Sequence, residues 1–197
     1  MKLFFLLIVL SLLAPAPSRA GEAALQTAVR LQSVQADFVQ EKHLKILARP
    51  LISTGAFVFQ APQSLRWEYQ SPLASVLLMH NGKVKKYIEQ DGEFREDKGM
   101  QPGSMQVVLA EIANWLGGRF TGNEMFNVSF PEKQTVLLTP REQGVAAFIS
   151  SIQLKLADQQ GLLDEVTIFE GPESYTRLTF SNRILNQEMP VALFIDR

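Results

Sequence analysis

The 197-residue chain contains no cysteine. That excludes thiol nucleophiles, thiolate metal sites and disulfides, so a domain exported to an oxidising compartment must hold together by burial alone. It also excludes lipid attachment through an N-terminal thioether. Histidine is scarce, with two residues in all. His43 lies in Glu41-Lys42-His43 and His80 beside Asn81-Gly82, and neither has a second ligand at helical i+4 spacing, so no metal site is expected. There is no G-x-S-x-G elbow, and Gly117-Gly118 and Gly122 lack the spacing and lysine of a phosphate loop. Charge of one sign is lacking too: the formal net charge is −1. Nucleic acid as a partner needs a dense basic surface to neutralise phosphate, and is therefore not expected.

The one long apolar run is too short to span a bilayer. Lys2 precedes an apolar stretch over residues 3–13, interrupted by Ser11; Pro15, Pro17 and a small-x-small Ser18-Arg19-Ala20 follow. Eleven helical residues reach about 16 Å, half a hydrocarbon core. Length and flanks together predict a cleaved secretory signal over residues 1–20 and a released, soluble domain over residues 21–197. Losing Lys2 and Arg19 leaves 17 basic against 20 acidic residues. The remaining length suits one domain with a core of its own.

Within that domain the dominant period is two. Val34, Ala36 and Phe38 alternate with polar neighbours, as do Phe57 and Phe59, then Leu65, Trp67 and Tyr69. The same pattern returns at Phe126, Val128 and Phe130, at Ile152, Leu154 and Leu156, at Val166 and Ile168, and at Leu178 and Phe180. Such alternation predicts half-buried strands. Asn81-Gly82, Asp91-Gly92 and Gln160-Gly161 are hairpin-type connections. Strands joined by tight turns exclude a parallel βαβ sheet and predict an antiparallel meander. Two segments have helical period instead. Glu22–Gln32 is one; the other places Met105, Val108, Leu109, Ile112 and Leu116 on one stripe, with Ser104 able to cap its start and Gly117-Gly118 its end.

Chemistry-bearing constellations are few. Glu96-Asp97 and Asp164-Glu165 sit in polar, turn-like surroundings and read as solvated surface, and Asn127-Val128-Ser129 matches a glycosylation sequon on a predicted strand. No catalytic residue is assigned, no cofactor is expected, and the protein is not expected to be an enzyme. A hydrolase using His43 and His80 is the competing reading of that class. The surplus is aromatic: the chain has 13 phenylalanines and two tryptophans, Trp67 and Trp115. Single aromatics are ordinary core, but as a set on a curved sheet they can enclose an apolar ligand.

Over Val34–Gly82 the pattern resembles a known family. The stretch Val34-Gln35-Ala36-Asp37-Phe38-Val39-Gln40-Glu41-Lys42 is similar to the opening F-x-Q strand of the outer-membrane lipoprotein carrier protein (LolA) family. Phe57-Val58-Phe59 follows after Gly55, then Ala61-Pro62-Gln63-Ser64-Leu65-Arg66-Trp67-Glu68-Tyr69, similar to the family's P-x-x-[LF]-x-W segment, then Pro72 and Asn81-Gly82-Lys83. Asp158–Gly161, Val166-Thr167-Ile168, Tyr175–Phe180, Pro190 and Phe194 continue the likeness to the C-terminus.

The resemblance implies a mostly β fold with two or three helices: an incomplete, open antiparallel β-barrel whose helices lid an apolar cavity. It implies a non-enzymatic periplasmic carrier, expected to be monomeric, that shields the acyl chains of lipoproteins or a related lipid between an inner-membrane donor transporter and an outer-membrane acceptor. A chain of roughly sixteen carbons costs on the order of 12 kcal/mol to expose to water, at about 0.8 kcal/mol per methylene. An empty cavity able to offset that would be an association-prone patch, which a closing lid removes. Leu65 and Trp67 correspond to lining residues of the family; alternation adds Phe38, Phe57 and Phe59, whose face depends on register. Met105, Val108, Leu109, Ile112 and Leu116 form the candidate lid helix.

One position departs from the family. Its carriers commonly have an arginine before the proline, bonded to the lid, where this chain has Ala61; Arg66 alternates differently and is not assigned the role. Glu41-Lys42-His43-Leu44 and Arg49-Pro50-Leu51 resemble divergent members tied to lipid or glycolipid export. A carrier of that kind and a non-transporting sensor or docking module are the alternatives.

Overall fold

A computed structural model describes residues 31–98, 109, 111–114, 124–158 and 162–197. The signal segment, most of the helix expected over Glu22–Gln32, the Gln160-Gly161 turn, Trp115, and Met105, Val108 and Leu116 of the expected lid lie outside the described residues.

Eleven strands form one antiparallel sheet: β1 (Ser33–His43), β2 (Leu51–Gln60), β3 (Ser64–Ser71), β4 (Ser75–His80), β5 (Lys83–Gln90), β6 (Glu93–Glu96), β7 (Phe126–Glu132), β8 (Thr135–Pro140), β9 (Ser151–Leu156), β10 (Leu163–Gly171) and β11 (Ser174–Leu185). Their order is β6-β5-β4-β3-β2-β1-β11-β10-β9-β8-β7. Two meanders are thus joined through the pairing of the first strand with the last, Phe38 opposite Phe180 and Gln40 opposite Leu178. β6 and β7 are unpaired with each other, so the barrel is open, as expected from the sequence.

Turn chemistry and bulges shape it. Asn81 and Gly82 have φ of 48° and 74°, and Asp91 and Gly92 have 55° and 79°. Both pairs occupy the left-handed region, the geometry of two-residue hairpins whose twist matches the strands they join. Register shifts interrupt the ladders at Gln35/Asp37, Thr54/Gly55, Leu163/Glu165 and Phe169/Gly171. Each extra residue increases local twist, which curls a sheet this wide into a trough.

The two faces differ in chemistry. Alternation sends Phe38, Phe57, Phe59, Leu65, Trp67, Ile152, Leu154, Val166, Ile168, Leu178 and Phe180 into one buried core on the concave side. Across the convex side of β9, β10, β11 and β1 runs an ionic ladder: Lys155 Nζ lies 2.9 Å from Glu165, Arg177 lies 3.7 Å from both Glu165 and Glu41, and His43 lies 3.4 Å from Glu41.

Two one-turn helices, α1 (Gln143–Ala146) and α2 (Ala192–Ile195), were not expected from the sequence. Four residues are too few to display a 3.6-residue period. α2 covers the convex side of β3 and β4, where Phe194 is buried with Val76 and Leu78. Arg66 holds it there: Nη1 donates to the carbonyls of Leu193 and Asp196 at 3.4 and 3.3 Å, while Nε and Nη2 each lie 2.9 Å from Glu68 Oε2. Val58, a convex-face residue between the concave Phe57 and Phe59, is buried on this side as well, opposite Arg66.

Candidate functional site

The concave face is the candidate site. β2 and β3 set Phe57 opposite Trp67 and Phe59 opposite Leu65, while β1 sets Phe38 opposite Gly55. All five lining residues proposed from the sequence therefore point to the same side, and each is at most 3% exposed. Phe38 stacks on Trp67 at 4.3 Å between ring centroids, Phe57 on Trp67 at 5.5 Å, and Phe180 meets Phe57 edge-on at 5.3 Å. Gly55 makes this packing possible. A Cβ there would lie 1.9 Å from the Glu68 carbonyl oxygen and 2.7 Å from Phe38 Cζ, so only glycine lets the ring lie flat on β2.

The aromatic floor has a roof. Leu109 and residues 111–114 are helical, and Leu109, Ile112 and Ala113 are buried in the same core as the strand residues. Glu111 is buried in this helix, and Asn114 Nδ2 donates to its Oε1 at 3.3 Å. A void between roof and floor, about 10 Å³, is bounded by Val34, Ala36, Phe57, Ile112, Leu162, Leu163, Phe180 and Arg183. That volume admits a single water at most, and an apolar lining keeps such a void dry. Among the described residues, Leu109, Ile112 and Ala113 pack directly on the aromatic floor.

Polarity enters the face at one end. Beyond Trp67 on β3 stands Tyr69, whose hydroxyl donates to Gln40 Oε1 at 2.7 Å. Burial pushes the Tyr69 phenol up to about 12, with a smaller opposing pull from the neighbouring Trp67 indole. The indole Nε1–H lies close enough for that pull but makes no hydrogen bond of proper geometry. Desolvation of the phenolate is therefore the larger effect.

Residues suggested for other chemistry do not converge. His43 ends β1 and stacks on Tyr175 at 4.2 Å; His80 ends β4, shares a 2.7 Å hydrogen bond with Ser64 Oγ and stacks on Phe194. The antiparallel order puts these two strand ends at opposite ends of the sheet. Among the described residues no three metal-ligating side chains come together, and no helix is long and apolar enough to cross a membrane. Ala61 packs against the core and its N–H donates to Gln32 O at 2.8 Å. Arg66, committed to the convex side, is not positioned to replace the family's arginine there.

From the sequence alone, Ile152, Leu154, Val166, Ile168, Leu178 and Phe180 mark strands and no more. The structure makes them the other half of the same concave surface, because β1 pairs with β11. Their alternation was the available signal; what the sequence could not show was the pairing of its two ends.

The model of the family described as outer membrane lipoprotein carrier protein LolA matches residues 30–195. The chain belongs to that family. No curated protein sequence matches it closely. Among solved structures, a DUF1329 family protein from Desulfovibrio piger superposes with a TM-score of 0.50 at 10% identity, over 91% of this chain and 98% of that one. A LolA superfamily protein from Nitrosomonas europaea gives 0.46 at 10% identity, over 92% and 98%. The MucA/MucB complex from Pseudomonas aeruginosa gives 0.38 at 17% identity, over 87% of this chain and 56% of the matched one.

Proposed function

We propose that this protein is a non-enzymatic periplasmic carrier that takes the acyl chains of lipoproteins, or of a related lipid, onto its concave face. One observation supports the reading: among the described residues, an apolar surface contributed by both halves of the sheet is covered by helical residues, Leu109, Ile112 and Ala113. A core needed for folding alone gains nothing from an open barrel. A surface that must alternately face its own helix and an acyl chain requires a removable cover. Leu109, Ile112 and Ala113 pack on this floor, so a chain that takes their place displaces them. The acyl chain then substitutes for the helix side chains, which keeps the aromatic floor out of water in both states. Donor and acceptor are a membrane transporter on the inner side and a receptor on the outer membrane.

The test is native mass spectrometry of protein released gently from the periplasm, followed by extraction of what it holds. A bound acylated polypeptide or lipid supports the carrier. Full-length folded protein that is consistently empty, and that co-purifies with one membrane protein, replaces this reading with that of a docking module.

A further inference from the structure

Apart from Arg183 beside the void near Val34 and Phe180, polar residues gather at one end of the concave face, where four strands each place a polar residue just past their last apolar one. On β1, Gln40 and Lys42 follow Phe38; on β3, Tyr69 follows Trp67; on β11, Thr176 precedes Leu178; on β10, Glu170 follows Ile168. The register draws them together. Lys42 Nζ donates to Glu170 Oε1 at 3.2 Å and lies 3.2 Å from Oε2, Thr176 Oγ1 lies 3.5 Å from Glu170 Oε2, and Tyr69 donates to Gln40. The row stays within reach of solvent: the Lys42 side chain is 36% exposed and that of Glu170 15%. Beside it, Trp67 Nε1 is buried without a hydrogen-bond partner among the described residues. The Tyr69 hydroxyl beside it is too poorly placed for a proper bond, so a better-placed ligand oxygen can accept from this donor. The small dry void lies elsewhere on the face, against Val34 and Phe180.

We propose that this row binds the polar head of the acylated cargo, that the head is electrically neutral and rich in hydroxyl or carbonyl oxygen, and that the acyl chain runs from there towards Phe180 and Val34. The proposal rests on the carrier reading and deepens it. The chemistry of the row sets the selectivity. Trp67 Nε1 and the Gln40 amide offer N–H donors, and Tyr69 oxygen keeps a free lone pair, so ester, amide or hydroxyl oxygens are matched. Lys42 and Glu170 form an ion pair within the row. An anionic head would meet the Glu170 carboxylate and a cationic one the Lys42 ammonium, each already satisfied by its partner.

Probes with one chain and different heads isolate the effect. Calorimetric titration of the purified protein, below micelle-forming concentration, would use dodecyl maltoside, an N-dodecanoyl dipeptide amide, dodecyl phosphate and dodecyltrimethylammonium. One or both neutral probes should bind at least about tenfold tighter than either charged one, the equivalent of one to two net hydrogen bonds. Whichever neutral probe is preferred assigns the head to the sugar or the lipopeptide class. Gln40→Leu and Tyr69→Phe should each narrow the neutral-to-charged ratio to about threefold or less, and Glu170→Gln should shift preference towards dodecyl phosphate. Circular dichroism identifies any variant that fails to fold, and the unmodified protein's own ranking stands without them. Equal binding of all four probes, or tighter binding of a charged one, overturns head selection while leaving the carrier intact. Binding of none overturns both.

Discussion

Truncating the roof should tighten cargo binding, a sign opposite to that expected of an ordinary lining residue. Ile112 is fully buried between the helix and the aromatic floor. Removing three of its carbons destabilises the closed form by about 2 kcal/mol, the low end for a buried isoleucine cut to alanine. If cargo displaces the helix, that loss falls on the closed state alone, because Ile112 has left the floor in the open one. The open population then rises by up to about 30-fold, and the apparent Kd falls by the same factor. Thermal stability moves the other way, with Tm lower by about 4–8 °C for a domain of this size. Titration with dodecyl maltoside and a melting curve on the same Ile112→Ala preparation give both numbers. An unchanged or raised Kd, with the lowered Tm, would refute the displacement model and leave Ile112 a static part of the site.

Other positions test other links. Gly55→Ala forces a Cβ against the Glu68 carbonyl at 1.9 Å, which flexible side-chain motion cannot relieve. The expected loss is about 3 kcal/mol, read as a Tm drop of about 10 °C; a drop below about 2 °C would show that β2 and β3 separate easily. Arg66→Ala removes the donor to the Leu193 and Asp196 carbonyls and should expose the α2 amides to faster hydrogen exchange, leaving β1 and β11 protected. Tyr69, whose phenol is held at about 12 against 10 unfolded, makes the folded state bind the extra proton between those values. Its contribution is complete below pH 10 and is lost as pH rises to 12, on the order of 2 kcal/mol, so Tyr69→Phe should flatten alkaline unfolding over that window. Equal alkaline midpoints in both proteins would contradict the burial.

Much of the trough was legible because its elements announce themselves locally. The period-two runs, the Asn81-Gly82 and Asp91-Gly92 turns and the aromatic segment around Trp67 each specify their own structure within a few residues. Phe38, Phe57 and Phe59 could be named from alternation, but their face needed the register, and the register needed Gly55 and the bulge beside it. Long-range features were silent. The pairing of Gln40 with Leu178 joins the two ends of the chain, and α2 rests on Arg66, 127 positions before Leu193. The polar row is the extreme case. Gln40, Lys42, Tyr69, Thr176 and Glu170 come from four strands, and only the assembled sheet makes them neighbours.

If cargo displaces the roof as proposed, one apolar surface does two jobs, and that ties stability to affinity with a negative sign. Each residue of the roof that packs better on Phe57, Trp67 and Phe180 deepens the closed state and raises the free energy that cargo must supply to open it. Each improvement in the floor strengthens both states alike and leaves the competition unchanged. Selection for tight yet reversible carriage therefore acts most freely on the helix. The floor is constrained by folding, as the Gly55–Phe38–Trp67 packing illustrates. The convex ladder of Lys155, Glu165, Arg177 and Glu41 contributes to neither side of that balance, since it faces water in both states. Substituting roof residues should thus move Kd and Tm in the same direction, with a smaller gap between states giving tighter binding and a lower melting point. Substituting ladder residues should move Tm slightly and Kd not at all. A roof series in which Kd and Tm vary independently would mean that the helix is not what the cargo displaces.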